Sequence, residues 1–143
     1  MLALIAGSAL AAPAPAAGAP TKPTGVTSTT QTFVDASRQR TLPTTLWFLK
    51  ARRPAPLPLL VFVHGYDQTP SDYHNLITTW AAAGYLVAAP TFPRTSHVAP
   101  GGPDASDYRN EPADVSFVIT QVLALGAGGA GRRAFRNQSV VGS

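Results

Sequence analysis

The chain has 143 residues, a net charge of +4 and no cysteine, which excludes disulfide bonds, thiolate metal sites and a cysteine nucleophile. This length suits one domain with a sizeable hydrophobic core. One cluster of basic residues, at 132–136, has an aromatic neighbour of the kind that nucleic-acid surfaces use. Because it lies between a glycine-rich segment and a predicted strand, we interpret it as a solvated loop and expect no nucleic-acid partner.

Residues 1–25 are expected to lie outside the domain, which is predicted to span residues 26–143. The leader is mostly apolar at first and then rich in alanine and proline. Its apolar run is too short to cross a bilayer, and Ala9-Leu10-Ala11 fits a signal cleavage site. No Lys or Arg precedes Lys22, so the positive segment of a secretory signal is missing. We predict an exported, secreted or extracytoplasmic protein, with a cytoplasmic protein carrying a low-complexity leader as the alternative.

Two β-prone segments, 27–35 and 40–49, open the domain and are expected to pair as antiparallel strands at one edge of the sheet. The apolar run 59–63 then predicts a fully buried parallel strand, which ends in a turn at His64-Gly65-Tyr66. Open α/β sheets bind their ligands at such strand ends. The sequence therefore places its candidate site after this strand.

A helix is predicted after the turn 67–72, where Thr69 or Ser71 is a candidate N-cap. Apolar residues at spacings of three and four predict its buried face: Tyr73, Leu76, Ile77, Trp80 and Ala81. Gly84 is expected to end the helix, and residues 85–90 to form a second buried strand. Strand, helix and strand within about 30 residues predict a βαβ unit.

The segment 91–109 predicts a long loop, a kind that is usually functional or mobile. Asn110 and Pro112 open a second helix. Its predicted buried stripe is Val115, Val118, Ile119, Val122 and Leu123. Glycines at 126–131 end this helix, and residues 137–141 predict a third buried strand leading to Gly142 and Ser143.

The order of these elements resembles the amino-terminal half of an α/β-hydrolase. The likeness covers about residues 40–143 and is strongest to bacterial serine esterases, the group with cutinase-like, chlorophyllase-like and dienelactone-hydrolase-like members. It is carried by residues 46–48, 59–66, 80–90, 114–119 and 140–142. The resemblance implies an α/β fold with a doubly wound, mostly parallel sheet, truncated in this chain at the nucleophile elbow.

The resemblance also implies cleavage of carboxylic esters by a Ser-His-Asp triad, with backbone N–H groups holding the oxyanion. Carried over by position, the N–H of Tyr66 is the predicted oxyanion donor, and its ring is a candidate lining of the acyl pocket. Gly65 is expected to let the backbone turn tightly toward the substrate. His64 is expected to support this loop and not to act as the base.

A Gly-x-Ser-x-Gly nucleophile elbow that begins at Gly142 puts Ser143 at x and the nucleophile beyond it. Ser143 as the nucleophile itself is the alternative, although Val141 then stands where the elbow needs a small residue. In the family the acid and base follow the serine, so the resemblance assigns those roles to no residue here. We therefore expect residues 1–143 alone to be inactive and poorly soluble, since the last strand is an exposed edge.

The full-length enzyme is expected to act on a small-molecule or polymeric ester, without a cofactor or metal. A small exported α/β binding or interaction module that ends at Ser143 is the competing interpretation. A nucleotide-binding protein shares the βαβ pattern, but the loop 65–70 lacks both glycine-rich phosphate-binding motifs. A metal site within 97–107 is disfavoured because no ligand pair has a suitable spacing.

Overall fold

The computed structural model describes residues 25–50 and 57–127. Their regular elements are, in chain order, β1 (Val26–Asp35), β2 (Arg40–Leu49), β3 (Leu59–Val61), α1 (His74–Ala82), β4 (Leu86–Pro90) and α2 (Glu111–Ala127). Short 3₁₀ turns precede the two helices, at Pro70–Tyr73 and Ala105–Asn110.

Several predicted features lie outside the described residues. They are the leader up to residue 24, the basic cluster 132–136, the predicted strand 137–141, and the elbow residues Gly142 and Ser143. These stay predictions.

The described strands form one mixed sheet in the order β1-β2-β4-β3. β1 and β2 make the predicted antiparallel edge hairpin, with Val26 opposite Leu49 at one end and Asp35 opposite Arg40 at the other. β2 also pairs antiparallel with β4, whereas β3 runs parallel to β4. This part of the sheet is therefore mixed and not mostly parallel as predicted, because the hairpin supplies the neighbour on one side of β4.

β3 is shorter and less buried than predicted. It covers three residues, and each of them is only partly buried. The reason is its position, since among the described residues it has a sheet neighbour, β4, on one side only. The Phe62 N–H makes one further bond, 2.9 Å to the Ala88 carbonyl oxygen, and the chain then leaves the sheet with Val63 exposed.

The two helices pack on opposite faces of the sheet. Successive residues of a strand point to opposite faces, so alternate residues of β4 contact different helix layers. Val87 and Ala89 of β4 lie in one core cluster with Ile77 and Ala81 of α1. Ala88, between them in sequence, lies in the other cluster, whose remaining buried members are Phe33, Leu42, Leu46, Phe92, Val118 and Val122. Helices on both faces of a partly parallel sheet are typical of the α/β class.

Both helices bury a narrower face than their periodicity predicts. Leu76 of α1 and Leu123 of α2 are exposed, although both were expected in the buried stripes. A helix that rests on a sheet buries only the residues nearest its line of contact, so the outermost positions of a stripe remain in solvent. The helix ends agree better with prediction. Gly84 has a left-handed φ of 104° just beyond α1.

Candidate active-site loop

The predicted oxyanion residues lie on residues 62–69, the first loop, which follows β3. Residues 91–104, the second loop, follow β4. Because β3 and β4 are parallel, both loops leave the same edge of the sheet, where α/β proteins bind ligands. Hydrogen bonds join the two loops, and these contacts fix the position of the first.

His64 ties the first loop to the start of the second. The side chain is buried, and its Nε2 accepts a hydrogen bond from the Phe92 N–H at 3.1 Å. Nδ1 therefore carries the ring proton, which it donates to the Gly65 carbonyl oxygen at 2.8 Å. Burial lowers the pKa of His64 below its ordinary value of 6.5, although the bond to Gly65 opposes this. Both ring nitrogens are bonded to backbone, so neither is free to accept a proton from a serine.

This burial predicts a loss of stability in mild acid. The unfolded chain binds a proton at His64 at a higher pH than the folded chain does. The neutral His64 side chain therefore contributes fully to the free energy of unfolding above about pH 6.5, and this contribution declines as the pH falls toward the pKa of His64 in the folded chain. When urea unfolding is measured between pH 8 and 5.5, the free energy of unfolding should decline below pH 6.5 by at most ~1.4 kcal/mol per pH unit.

The matched variants for this measurement are His64→Gln and His74→Gln, since His74 is exposed on α1. We expect the decline to disappear in the first and to persist in the second. An unchanged pH dependence in His64→Gln would mean that another group is responsible.

Gly65 lies close to a neighbouring side chain, and its φ is not in the left-handed region. Positive φ values occur elsewhere, and the one in this loop belongs to Asp67, at 57°. A Cβ on Gly65 would lie 2.5 Å from Oε1 of Gln68. Gln68 in turn accepts a hydrogen bond from the Tyr73 hydroxyl, which holds it in place at the start of α1. A Cβ at residue 65 would therefore displace the end of the Gln68 side chain, which braces the loop against the helix.

Tyr66 presents both a backbone donor that is unpaired in the described part of the chain and an exposed ring. Its N–H donates to no acceptor among the described residues. Its hydroxyl donates to the carbonyl oxygen of Pro103 in the second loop at 2.9 Å. The ring is 41% exposed and lies 6.0 Å, centroid to centroid, from the ring of Tyr108. An N–H at the sheet edge, on a residue whose side chain is tethered, is suited to binding an oxyanion.

The peptide group between Tyr66 and Asp67 is held by a chain of hydrogen bonds that begins at Glu111 of α2. The Asp67 N–H donates to the Thr95 carbonyl oxygen at 2.8 Å. The hydroxyl of Thr95 donates to Oε1 of Glu111 at 2.6 Å, and both side chains are buried. His97 adds a bond from its ring to the Asp67 carbonyl oxygen. The left-handed turn at Asp67 is therefore fixed from several directions.

Sequence reasoning missed the residues that brace the first loop. They are Gln68, Tyr73, Thr95, Tyr108 and Glu111. None of them belongs to a recognised motif, and three lie 29 or more residues from Tyr66 in sequence. The one signal that pointed to some of them is the length of the segment 91–109, which predicts a functional or mobile loop.

A buried ion cluster lies where the β1–β2 hairpin meets the segment before α2. Arg40 makes paired bonds of 2.8 Å to both carboxylate oxygens of Asp107 and also bonds Asp114. Arg38 bridges Asp35 and Asp114, each at 2.7 Å. Asp114 is fully buried, and Arg40 and Asp107 are nearly so. The cluster binds the hairpin to the segment that carries Tyr108.

The charges in this cluster are mutually stabilised. Burial opposes the charge on Arg40, but its bonds to Asp107 and Asp114 outweigh burial and raise its pKa. Burial would likewise raise the pKa of Asp107, yet the bonds from Arg40 and Asn110 outweigh it and lower that pKa. Arg40 and Asp107 therefore stay ionised over the physiological range, as structural charges.

No serine hydroxyl bonds a histidine within residues 25–50 and 57–127. All three histidines of the sequence lie in this part of the chain, and His74 and His97 are exposed. The same residues contain no group of three or more His, Asp or Glu side chains able to hold a metal ion. Neither helix of the described part has the length and apolarity that a membrane span requires.

The sheet order, the two helix layers and the loop at the strand edge agree with a comparison against known families. The model of the family described as Chlorophyllase matches residues 21–114, or 94 of the 143 residues. The chain belongs to the chlorophyllase family. This family is part of the α/β-hydrolase superfamily, so the resemblance seen in the sequence is confirmed.

The chlorophyllase match includes both loops of the candidate site and ends before Gly142 and Ser143. It also begins within the predicted leader. Searches of curated proteins and of solved structures each gave no match.

Proposed function

We propose that this protein is a serine hydrolase that cleaves carboxylic esters, and that Tyr66 supplies one backbone donor of its oxyanion hole. Membership of the chlorophyllase family supports a hydrolase. The observation that carries the site is the N–H of Tyr66, which has no acceptor within residues 25–50 and 57–127 and lies at the carboxyl edge of β3 and β4, in a loop fixed by His64 and Asp67. The substrate is a small-molecule or polymeric ester.

The chemistry that the described residues contribute is electrostatic. As a nucleophile adds to the ester carbonyl, negative charge develops on the carbonyl oxygen, and the Tyr66 N–H donates to it. The bonds around the loop hold this donor before the substrate arrives, so little reorganisation is needed in the reaction. Donors preorganised in this way stabilise the transition state more than the ground state.

The nucleophile, the base and the acid are proposed to lie outside the described residues, with the elbow beginning at Gly142. His64 is bonded on both nitrogens, and no histidine bonds a serine within 25–50 and 57–127. The base is therefore assigned to a histidine further along the reading frame. We propose that residues 1–143 by themselves do not hydrolyse esters.

The test uses the protein translated from the complete reading frame that contains this chain. We expect it to hydrolyse 4-nitrophenyl acetate and to react covalently with a fluorophosphonate, which modifies activated serines. Peptide mass spectrometry should place the modification on Ser143 or on the residue after it, which decides between the two assignments of the elbow. Residues 1–143 alone serve as the comparison, and we expect no hydrolysis from them.

Either of two results would contradict this proposal. One is a folded protein that neither hydrolyses the ester nor reacts with the probe. The other is labelling of a described serine such as Ser96, whose hydroxyl bonds the Phe92 carbonyl oxygen. The first result would favour the binding or interaction module.

We further propose that the protein is exported by its amino-terminal leader. The support is the apolar run followed by Ala9-Leu10-Ala11. Mass spectrometry of the product from cells that express the complete frame tests this, with cleavage after Ala11 as the expected result. An uncleaved product retained in the cytoplasm would contradict export.

A further inference from the structure

The direction of the Tyr66 N–H depends on the two peptide groups that meet at the Cα atom of this residue. The N–H belongs to the first, whose carbonyl oxygen, on Gly65, accepts the bond from Nδ1 of His64 at 2.8 Å. The second ends in the N–H of Asp67, which donates to the Thr95 carbonyl oxygen at 2.8 Å. Because each peptide group is planar, the two bonds together restrict rotation about both backbone torsions of Tyr66.

The carbonyl group that accepts the Asp67 N–H belongs to a residue that is itself anchored. Thr95 is fully buried, and its hydroxyl donates to Oε1 of Glu111 at 2.6 Å. Glu111 is the first residue of α2, which packs on the sheet. The bond therefore ties the second loop to the helix and keeps the Thr95 carbonyl oxygen beside Asp67.

Glu111 differs from the other buried carboxylates near the start of α2. Asp107 and Asp114 both bond Arg40. Within residues 25–50 and 57–127 no cation pairs with Glu111, although this residue is only 7% exposed. Glutamate is almost never this buried without a paired cation. Charge pairing therefore does not account for Glu111, and its side-chain hydrogen bond leads, through Thr95, to the first loop.

We propose that Thr95 and Glu111 are positioning residues for ester hydrolysis, which act through the backbone N–H of Tyr66. This proposal rests on the proposed function. Both residues are buried and do not bond the ester. They hold the donor in the direction in which the carbonyl oxygen develops its charge, and a small error in such an alignment lowers the rate of the chemical step.

The test measures steady-state hydrolysis of 4-nitrophenyl acetate by the protein from the complete reading frame. Thr95→Val has nearly the same shape but no hydroxyl, so it should lower kcat by about three- to tenfold, the usual effect of losing one hydrogen bond. Thr95→Ser keeps the hydroxyl and should restore most of kcat. Glu111→Gln keeps an acceptor oxygen without the charge and should likewise retain most of kcat, whereas Glu111→Leu should match Thr95→Val.

Thr78→Val is the matched control for Thr95→Val. Thr78 is also a buried threonine, but its hydroxyl bonds two carbonyl oxygens within one turn of the chain, those of His74 and Asn75 in α1. Its loss should leave kcat unchanged, because no bond of this hydroxyl reaches the first loop.

A second comparison separates positioning from a general loss of stability. In a protein that already carries Tyr66→Pro the donor is absent, so adding Thr95→Val should lower kcat no further. Partial unfolding would instead lower kcat by the same factor in both backgrounds. Urea unfolding shows which variants are folded.

An unchanged kcat in folded Thr95→Val would overturn the proposal while leaving ester hydrolysis intact. An equal fall in Thr78→Val, or an undiminished effect of Thr95→Val beside Tyr66→Pro, would also overturn it. If Tyr66→Pro does not fold, the single variants of Thr95 and Thr78 decide. If the unmodified protein does not hydrolyse the ester, the proposed function fails and this proposal fails with it.

Discussion

Replacing Tyr66 with proline is expected to lower kcat for ester hydrolysis by about 10²- to 10³-fold, the usual cost of losing one oxyanion donor. Proline has no N–H, so the change removes the proposed donor itself. It leaves in place the bond from the Phe92 N–H to the His64 side chain and the bond from the Asp67 backbone N–H to the Thr95 carbonyl oxygen. KM should change much less than kcat, because the bond strengthens only as charge develops on the carbonyl oxygen. The measurement is steady-state hydrolysis of 4-nitrophenyl acetate by the protein from the complete reading frame.

Tyr66→Phe is the matched variant for this experiment. It keeps the N–H and removes the hydroxyl bond to Pro103, so it should retain most of the activity. Urea unfolding of both variants shows whether either one has lost its fold. A folded Tyr66→Pro protein with normal kcat would exclude Tyr66 as the donor.

Replacing Arg40 with alanine is expected to destabilise the folded chain by about 3–5 kcal/mol, the typical cost of removing one partner from a buried ion pair. The variant would leave the carboxylates of Asp107 and Asp114 in a buried site, with Arg38 as the remaining cation among the described partners. Arg38 contacts Asp114 but not Asp107, so the charge on Asp107 would lose its bidentate partner. An unpaired buried carboxylate is costly because water no longer solvates it.

Arg94→Ala is the control for Arg40→Ala. Arg94 pairs with Asp104 at 3.5 Å on the surface, and the side chain of Arg94 is 62% exposed. Exposed pairs contribute at most about 1 kcal/mol, so this change should have little effect on the free energy of unfolding in urea. Equal destabilisation by the two changes would show that the buried cluster contributes nothing beyond a surface pair.

The cluster also links stability to the proposed site. Arg40 holds Asp107, and Tyr108 follows it in the same 3₁₀ turn. Asp114 and Glu111 lie in the first turn of α2, and Glu111 accepts the hydrogen bond from Thr95, whose carbonyl oxygen in turn accepts the Asp67 N–H of the first loop. One end of the edge hairpin thereby anchors both the 3₁₀ turn that carries Tyr108 and the backbone beside Tyr66.

Much of the local structure follows from the sequence alone. The alternation of β-prone residues predicts β1 and β2 and their antiparallel pairing, and the structure confirms both. Thr69 was a candidate N-cap, and its N–H bonds the Asp72 carboxylate at 2.7 Å. Gly84 ends α1 as predicted, and α2 begins at Glu111 with Pro112 in its first turn. The helix ends depend on residues within about one turn of each other, and the hairpin joins two strands that are adjacent in sequence, so a short window of sequence contains the information.

The sequence also determined the family, since the order of strand, loop and helix motifs resembles that of α/β-hydrolases and the chlorophyllase match covers most of them. It placed the candidate site at the end of β3. It did not show that the Oε1 end of the Gln68 side chain lies in the space beside Gly65 that a Cβ would occupy.

Only the tertiary structure decided which distant residues meet. Arg40 bonds Asp107 and Asp114, which lie 67 and 74 positions further along the chain, and no pattern of spacing indicates those pairs. The position of β4 between β2 and β3 is likewise a pairing that no local pattern indicates, and it places Val87 and Ala89 in the cluster with α1 and Ala88 in the cluster with α2. Local sequence patterns indicate backbone preferences and which residues are buried. The partner of a buried charge or of a strand edge depends instead on which distant segments the folded chain brings together.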